Sequence, residues 1–331
     1  MGLFNRRRPG SRKQGGAKTP APALAIDPCA HDLAAVDLRE ALLRHDHAWA
    51  AEFLTAVTEP DERAFYLSIC ARVPGLQDWI GAWTRAEPRS TLPLLVRGAH
   101  AVGWAWAARQ GTYNEQDTQD DRFQGFSERL ELAEACLGEV AARDPGETAA
   151  WTFLLAAALG GRVKPDEAHR RFDRVLELHP GHLRAHTYMF TYLCEKWYGS
   201  HEEMFAFARG AVAQSPPGSP LGRLVADAHV EVWLSLPKAQ AETYMAQEDV
   251  RSDLRAAADH SIRHPAYRAQ AGWPEVHNVF AFAFALAGDI PAAREEFQII
   301  GEYVTELPWA YYAPDPVDAF SALRERVTAG L

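Results

Sequence analysis

Three histidines, His179, His182 and His186, fall close together in this 331-residue chain, and their spacing is its strongest invitation to metal chemistry. His182 and His186 stand four apart, so on a helix they share a face, an arrangement that can hold zinc or nickel. A catalytic zinc needs a third ligand, and no sequence neighbour supplies one. His179 falls in the last turn of a predicted helix, where a partly charged imidazole complements the helix dipole. His186 then reads as an ordinary inward-facing residue, and the expectation is no metal site. His45-Asp46-His47 lies at a predicted helix junction and is read the same way. His201-Glu202 opens the zinc-protease pattern of two histidines around a Glu, but residue 205, where the second histidine belongs, is Phe. Asp117, Gln119, Asp121 and Glu128 occupy ligand positions of a calcium-loop template, yet Arg122 stands where the sharp turn needs glycine. An acidic surface loop is the better account.

Other chemistries lack footing. The four cysteines, Cys29, Cys70, Cys136 and Cys194, are far apart and form no Cys-x-x-Cys pair, which disfavours zinc ribbons, thioredoxin-like motifs and disulfide frameworks. Unpaired cysteines commonly serve as small buried hydrophobes. No phosphate-binding glycine loop, dinucleotide fingerprint or nucleophile elbow occurs. We therefore expect no catalytic residue and no cofactor.

Composition narrows the class. Apolar residues make up 47% and charged residues 24%, the balance of a folded globular chain. No apolar run reaches membrane-spanning length. Residues 1–26 carry six Arg and Lys without an acid, leaving 28 basic against 44 acidic residues on the rest. That head is poor in apolar groups and reads as a short disordered basic tail, with neither a signal peptide's apolar stretch nor a myristoylation motif. The acidic body would repel a phosphate backbone, so no nucleic-acid partner is expected. Weak peripheral contact of the tail with a membrane stays open, and the expected location is cytoplasmic.

The elements that must position these side chains are helices throughout. Apolar residues recur at three and four, with no alternating strand followed by a hairpin turn. The pattern predicts helices over 30–44, 47–58, 60–72, 75–86, 91–110, 126–143, 146–159, 165–178, 182–197, 200–214, 219–236, 238–247, 249–263, 274–287, 290–306 and 315–328. Pro60, Pro74-Gly75, Pro88, Pro145-Gly146, Pro180-Gly181 and Pro216-Pro217-Gly218 punctuate them, since proline cannot continue a helix. The expected fold is all-α.

Pro145, Pro180 and Pro216 are spaced 35 and 36 residues apart, each closing an amphipathic helix. Matching offsets before each give Ala133-Leu137-Val140, Ala168-Phe172-Val175 and Met204-Ala208-Ala211, one apolar stripe per helix. A related unit ends near Ala293, Phe297 and Ile300. Such a period, two helices closed by Pro, resembles the tetratricopeptide repeat. Lys196-Trp197-Tyr198-Gly199-Ser200-His201-Glu202-Glu203 looks like the Lys-Trp-x-Gly-Ser-x-Glu-Glu segment of a bacterial tetratricopeptide-like family of undefined function. Its local physics is a helix end at Gly199, through a positive φ, followed by a Ser200–Glu203 capping box. The first-helix signature is degraded around Trp151 and Leu155, and the polar stretch 111–125 interrupts the first unit.

The resemblance implies an α-α superhelix: the basic tail at 1–26, helical hairpins at 27–110, and tetratricopeptide-like repeats at 111–331 continuous with them. Such a solenoid presents a concave face suited to a peptide or helix. Carried over residue by residue, the groove positions are Ala150, Phe153 and Ala157, then His186, Met189, Leu193 and Lys196, then Glu275, Asn278 and Phe282, with Trp197 at the edge. Only Lys196 and Asn278 suit a carboxylate clamp and they are far apart, so the expected groove is apolar and aromatic. The implied function is a non-catalytic scaffold for a protein or peptide partner. Two rivals stand beside it: a membrane-peripheral adaptor, and a small-ligand or enzyme pocket where the solenoid curls, near Trp197, Trp273, His277 and Asn278, with 308–314 as a lid. Ionisable side chains within bonding distance in such a pocket would favour the latter.

Overall fold

The computed structural model describes residues 24–109 and 119–329, with the side chains of 109 and 119–123 left aside. The described residues form sixteen α-helices and two short 3-10 turns, with no strand. In chain order the helices are α1 (Leu33–Leu43), α2 (His47–Ala56), α3 (Pro60–Cys70), α4 (Leu76–Ala86), α5 (Leu92–Arg109), α6 (Gln119–Arg143), α7 (Thr148–Gly160) and α8 (Pro165–Leu178). They continue as α9 (Leu183–Tyr192), α10 (His201–Gln214), α11 (Arg223–Ser235), α12 (Lys238–Met245), α13 (Glu248–His260), α14 (Trp273–Ala287), α15 (Ile290–Ile300) and α16 (Pro316–Thr328). The all-α expectation holds. Most of the basic head lies outside the described residues, but Leu24 packs against the C-terminal core, so ordered chain begins before Asp27.

Proline punctuation works as predicted: α6, α8 and α10 end just before Pro145, Pro180 and Pro216. The repeating stripe is real burial, with Ala133, Leu137, Val140, Ala168, Phe172, Val175, Met204 and Ala208 all inside. Asp32, Asp46, Asp289 and Asp315 cap the starts of α1, α2, α15 and α16 through their carboxylates, satisfying amide protons that the first turn leaves without partners. Arg171 then clamps α8 to α6 by a two-pronged bond to Glu134, at 2.7 and 2.8 Å, while also donating to the Leu154 carbonyl of α7.

Several boundaries differ from expectation, among them the end of α15 at Ile300 rather than 306. α6 begins at Gln119, so the polar stretch continues into helix rather than ending at 125; residues 110–118 lie outside the described set. α9 stops at Tyr192, and a series of turns carries the chain to Ser200. Gly199 does not take a positive φ. It is required because a Cβ there would sit 2.2 Å from the Leu193 carbonyl oxygen. The cap itself is present: Ser200 Oγ accepts from the Glu203 amide at 3.2 Å, while Glu203 accepts from the Ser200 hydroxyl rather than from its backbone.

Helices pack chiefly on their chain neighbours, α5 on α6, α6 on α7, α10 on α11 and α14 on α15. Non-neighbour contacts then bring distant parts together. α3 touches α7 and α9, and Phe65 of α3 meets Gly272 just before α14. Farther along, His31 sets its ring edge-on to Tyr303 at 4.8 Å. The N-terminal hairpins thus reach the C-terminal helices across the interior of the chain.

Two predictions follow from local chemistry. His100, buried in α5 with Nδ1 donating to the Cys70 carbonyl at 3.2 Å, is pushed down to about 4 by burial. The unfolded chain therefore takes up a proton between pH 6.5 and about 4 that the folded chain refuses, so stability falls as pH falls through that window. His100→Gln should remove about 3 kcal/mol of that loss, read from urea unfolding at neutral and acid pH. Ser200→Ala should cost about 1 kcal/mol by removing the α10 cap; an unchanged melting temperature would contradict the assigned start of that helix.

Candidate functional site

Only some of the sequence-derived candidates reach open space. Phe153, Met189, Asn278 and Phe282 are at most 1% exposed, and His186 and Leu193 are also buried. Each packs between helices, and His186 also borders an open cleft between α8 and α10. The reason is register. Cavity-facing positions of α9 run Arg184, Thr187 and Tyr188, whereas the positions carried over from the repeat register, His186 and Met189, lie on its other faces. His186 points into the gap between α8 and α10, its ring 5.0 Å from Phe172 and 5.9 Å from Phe207. Lys196 is exposed and pairs with Glu231 at 2.7 Å, while Trp197 packs edge-on to Trp106.

The expected pocket at Trp197, Trp273, His277 and Asn278 is likewise dispersed. Trp273 and His277 are in contact at 5.4 Å, but His277 gives its Nδ1 to buried Glu296 at 2.7 Å. Asn278 Oδ1 accepts from Trp309 Nε1 at 2.6 Å, and Nδ2 donates to the Pro274 and Tyr303 carbonyls. Trp309 is fully buried and anchors this end of 308–314 in the core, while Tyr311 and Tyr312 stay exposed. His45 and His47 stack on Trp79 and Trp83 while Asp46 caps α2, so that trio is local structure. All four cysteines are buried, and burial pushes Cys70 and Cys194 up to about 12, the behaviour of packing thiols rather than nucleophiles.

What the fold does assemble is a small cavity of about 50 Å³ where α3, α9, the start of α11, the 267–272 segment and α14 converge. Its walls are aromatic: Phe65, Tyr188, Tyr267 and Trp273. Its polar lining is ionic. Arg184 Nη2 stands 3.6 Å from Glu275 Oε1, and Arg223 Nη1 stands 3.4 Å from Glu275 Oε2. Arg223 also donates through Nε to Asp227 at 2.9 Å. These side chains keep only 20% (Arg184), 13% (Arg223) and 31% (Glu275) of their surface exposed.

Charges held there interact strongly because little water screens them. Burial opposes ionisation of Glu275, yet Arg184 and Arg223 outweigh it and hold its carboxyl below the usual range. Burial likewise opposes the charge on Arg184, and Glu275, Tyr188 and Asp61 overcome it. For Asp227 burial wins despite Arg223, and its carboxyl is pushed up. Neither arginine forms a two-pronged bond with Glu275, unlike Arg171 with Glu134. Guanidinium donors therefore remain for a guest, since Arg carries five.

Asp61 closes one edge of this cavity. Its Oδ1 accepts from the Leu183 amide at 2.8 Å and its Oδ2 faces His179 Nε2 at 3.1 Å. Asp61 thus caps α9 from another helix, a partner that no local sequence pattern could reveal. Glu275 stood among the expected groove positions, whereas Arg184 and Arg223 escaped the sequence reading, because the convergence of the three depends on three separate helices; the one local hint was the Arg223–Asp227 spacing of four.

Compared with known proteins, the chain matches no family model, no curated protein and no solved structure. Its site is therefore read from geometry alone. Gly272 is central to that geometry, with φ +78° and a would-be Cβ only 2.9 Å from Phe65 Cδ2. Gly272→Ala should destabilise the chain by roughly 1–3 kcal/mol and loosen the contact between α3 and the α14 start. Faster amide exchange around 270–273 than elsewhere in the variant is the expected signature.

Proposed function

We propose that this is a non-catalytic binding protein, a tetratricopeptide-like solenoid whose inner face takes a small anionic ligand or the carboxylate end of a peptide. The observation that carries the reading is the convergence of Arg184 and Arg223 on a single carboxylate inside an aromatic-walled cavity. Burying ion pairs is a poor way to gain stability, because desolvation offsets most of the attraction. A cavity that keeps such charges is better explained by recognition. Ligand sites are commonly concave and mostly apolar, with a few convergent polar groups.

The expected ligand chemistry follows from the lining. An anionic group would bridge Arg184 and Arg223, competing with Glu275 or sharing their donors, as arginine pairs recognise carboxylates. An apolar or aromatic portion would lie against Trp273, Tyr188 and Tyr267. This keeps the protein- or peptide-binding expectation but narrows it to a chain end rather than an extended strand. It also replaces an uncharged, shape-reading groove with a charged one. The four free cysteines suit a reducing, cytoplasmic setting, and no described helix is long and apolar enough to cross a membrane.

The test is a thermal-shift and calorimetric panel of N-acyl amino acids, aromatic carboxylates and short peptides with free or amidated C-termini. Carboxylates carrying an aromatic group should raise the melting temperature, and amidation should abolish the effect. Arg184→Ala should weaken binding by about 2–4 kcal/mol while the fold persists, since the ion pair of Arg184 with Glu275 is a long one at 3.6 Å. Binding by no member of the panel, or binding indifferent to Arg184→Ala, would overturn the proposal. A full-length protein partner captured equally by wild type and variant would instead restore the extended scaffold reading.

A further inference from the structure

At the rim of the arginine cavity, which Asp61 also lines, three side chains from two distant stretches of sequence turn their ligating atoms toward one point at the junction of α3 with the α8–α9 connection. His179 Nε2 lies 3.1 Å from Asp61 Oδ2 and 3.8 Å from Glu59 Oε1. All three atoms lie within 4.8 Å of one another. Around a zinc-sized ion with bonds of roughly 2.0–2.2 Å, tetrahedral neighbours sit roughly 3.3–3.5 Å apart. The observed separations bracket that edge length.

The carboxylates are also pre-oriented. Glu59 caps α3 with Oε2, which accepts from the Glu62 amide at 2.9 Å, and this turns Oε1 toward His179. Asp61 is held by the Leu183 amide on Oδ1 at 2.8 Å, which turns Oδ2 the same way. One oxygen of each is fixed by backbone while the other is presented, the arrangement by which outer hydrogen bonds orient metal ligands. His182, fully buried beside them, is committed elsewhere, its Nδ1 accepting from the Ala185 amide at 3.3 Å to cap α9. Glu59 and His179 keep 39% and 31% of their side-chain surface exposed, so an ion can enter from solvent.

We propose that Glu59, Asp61 and His179 form a binding site for a divalent transition-metal ion of the zinc class, with water completing the shell. One imidazole and two carboxylates suit zinc, manganese or cobalt better than calcium or magnesium, which favour all-oxygen shells. The His182–His186 pair, with the i, i+4 spacing that suggested metal chemistry, is not the one used. His186 turns to the other side of α9, and the ligands it lacked come from the first turn of α3 and the residue before it. A bound ion would fasten α3 to the start of α9 at the edge of the arginine cavity; the two share Asp61, but the metal site does not rest on the ligand reading above.

The experiment uses the full chain after chelator treatment. Zinc titrated calorimetrically should bind with one equivalent per chain and raise the melting temperature, and cobalt in its place should give the visible absorption of a low-symmetry site. Glu59→Gln, which preserves the α3 cap because a Gln oxygen can still accept from the Glu62 amide, and His179→Ala should each weaken zinc by about tenfold or more. His169→Ala, an exposed histidine away from the cluster, should not change it. No stoichiometric zinc binding at submillimolar concentration would overturn the assignment. So would equal affinity for wild type and the two cluster variants, or calcium competing as well as zinc. Circular dichroism of each variant separates loss of the site from loss of the fold.

Discussion

Helices α7 and α14 are apolar on nearly every side, and a helix of that composition must be covered all round. Along α14, from Pro274 to Ala287, only Glu275 and Leu286 escape full burial. α7 is as enclosed, with Thr152, Phe153, Leu154, Leu155 and the alanines that follow all inside. A helix that is hydrophobic all round cannot lie on a surface. Neighbours must close over both, and the packing of α3, α9, α11, α13, α15 and α16 against them satisfies that demand. The curl that brings α3 to the start of α14 is a consequence of this requirement, and the cavity is the space left where the curl does not fill.

That residual space explains why charge sits so deep. Arg184, Arg223 and Glu275 lie on the exposed edges of helices whose remaining faces are committed to the core. Once those edges turn inward, the charges can be tolerated only by pairing, and they pair across three helices. Where a pair is purely architectural the geometry looks different: Arg171 and Glu134 meet in a short two-pronged bond. Longer, single-pronged contacts around Glu275 mark a place where the chain has not optimised its own bonding. The contrast supports recognition there and architecture at Arg171.

The arrangement around Asp61 follows the same logic at the rim. A helix start leaves amide protons without partners, and α9 obtains one from a carboxylate that belongs to α3. Because Asp61 must stand at that position, Glu59 two residues earlier and His179 at the end of α8 come with it. A capping requirement thereby gathers two carboxylates and imidazoles at one corner of the molecule.

Much of the fold was legible because its signals are local. Proline at Pro145, Pro180 and Pro216 ends a helix whatever surrounds it, and the stripe Ala133-Leu137-Val140 must face an apolar neighbour wherever that neighbour lies. Ser200 and Glu203 announced a cap correctly, while Gly199 was misread because its need is a close approach to Leu193 rather than a turn conformation. The repeat register carried onto α9 selects His186 and Met189, and because each residue along a helix rotates the side chain by roughly 100°, their neighbours Arg184, Thr187 and Tyr188 face the cavity instead. Phe153, Met189 and Phe282 were recognisable as apolar and inward, but not as covered on both sides. The sequence by itself determined the helices, their order and the residues that must leave water, since those depend on neighbours within a turn or two. Only the tertiary structure decided that Arg184, Arg223 and Glu275 meet, and that Asp61 rather than His186 joins His179, because such meetings depend on how the helices close around α7 and α14.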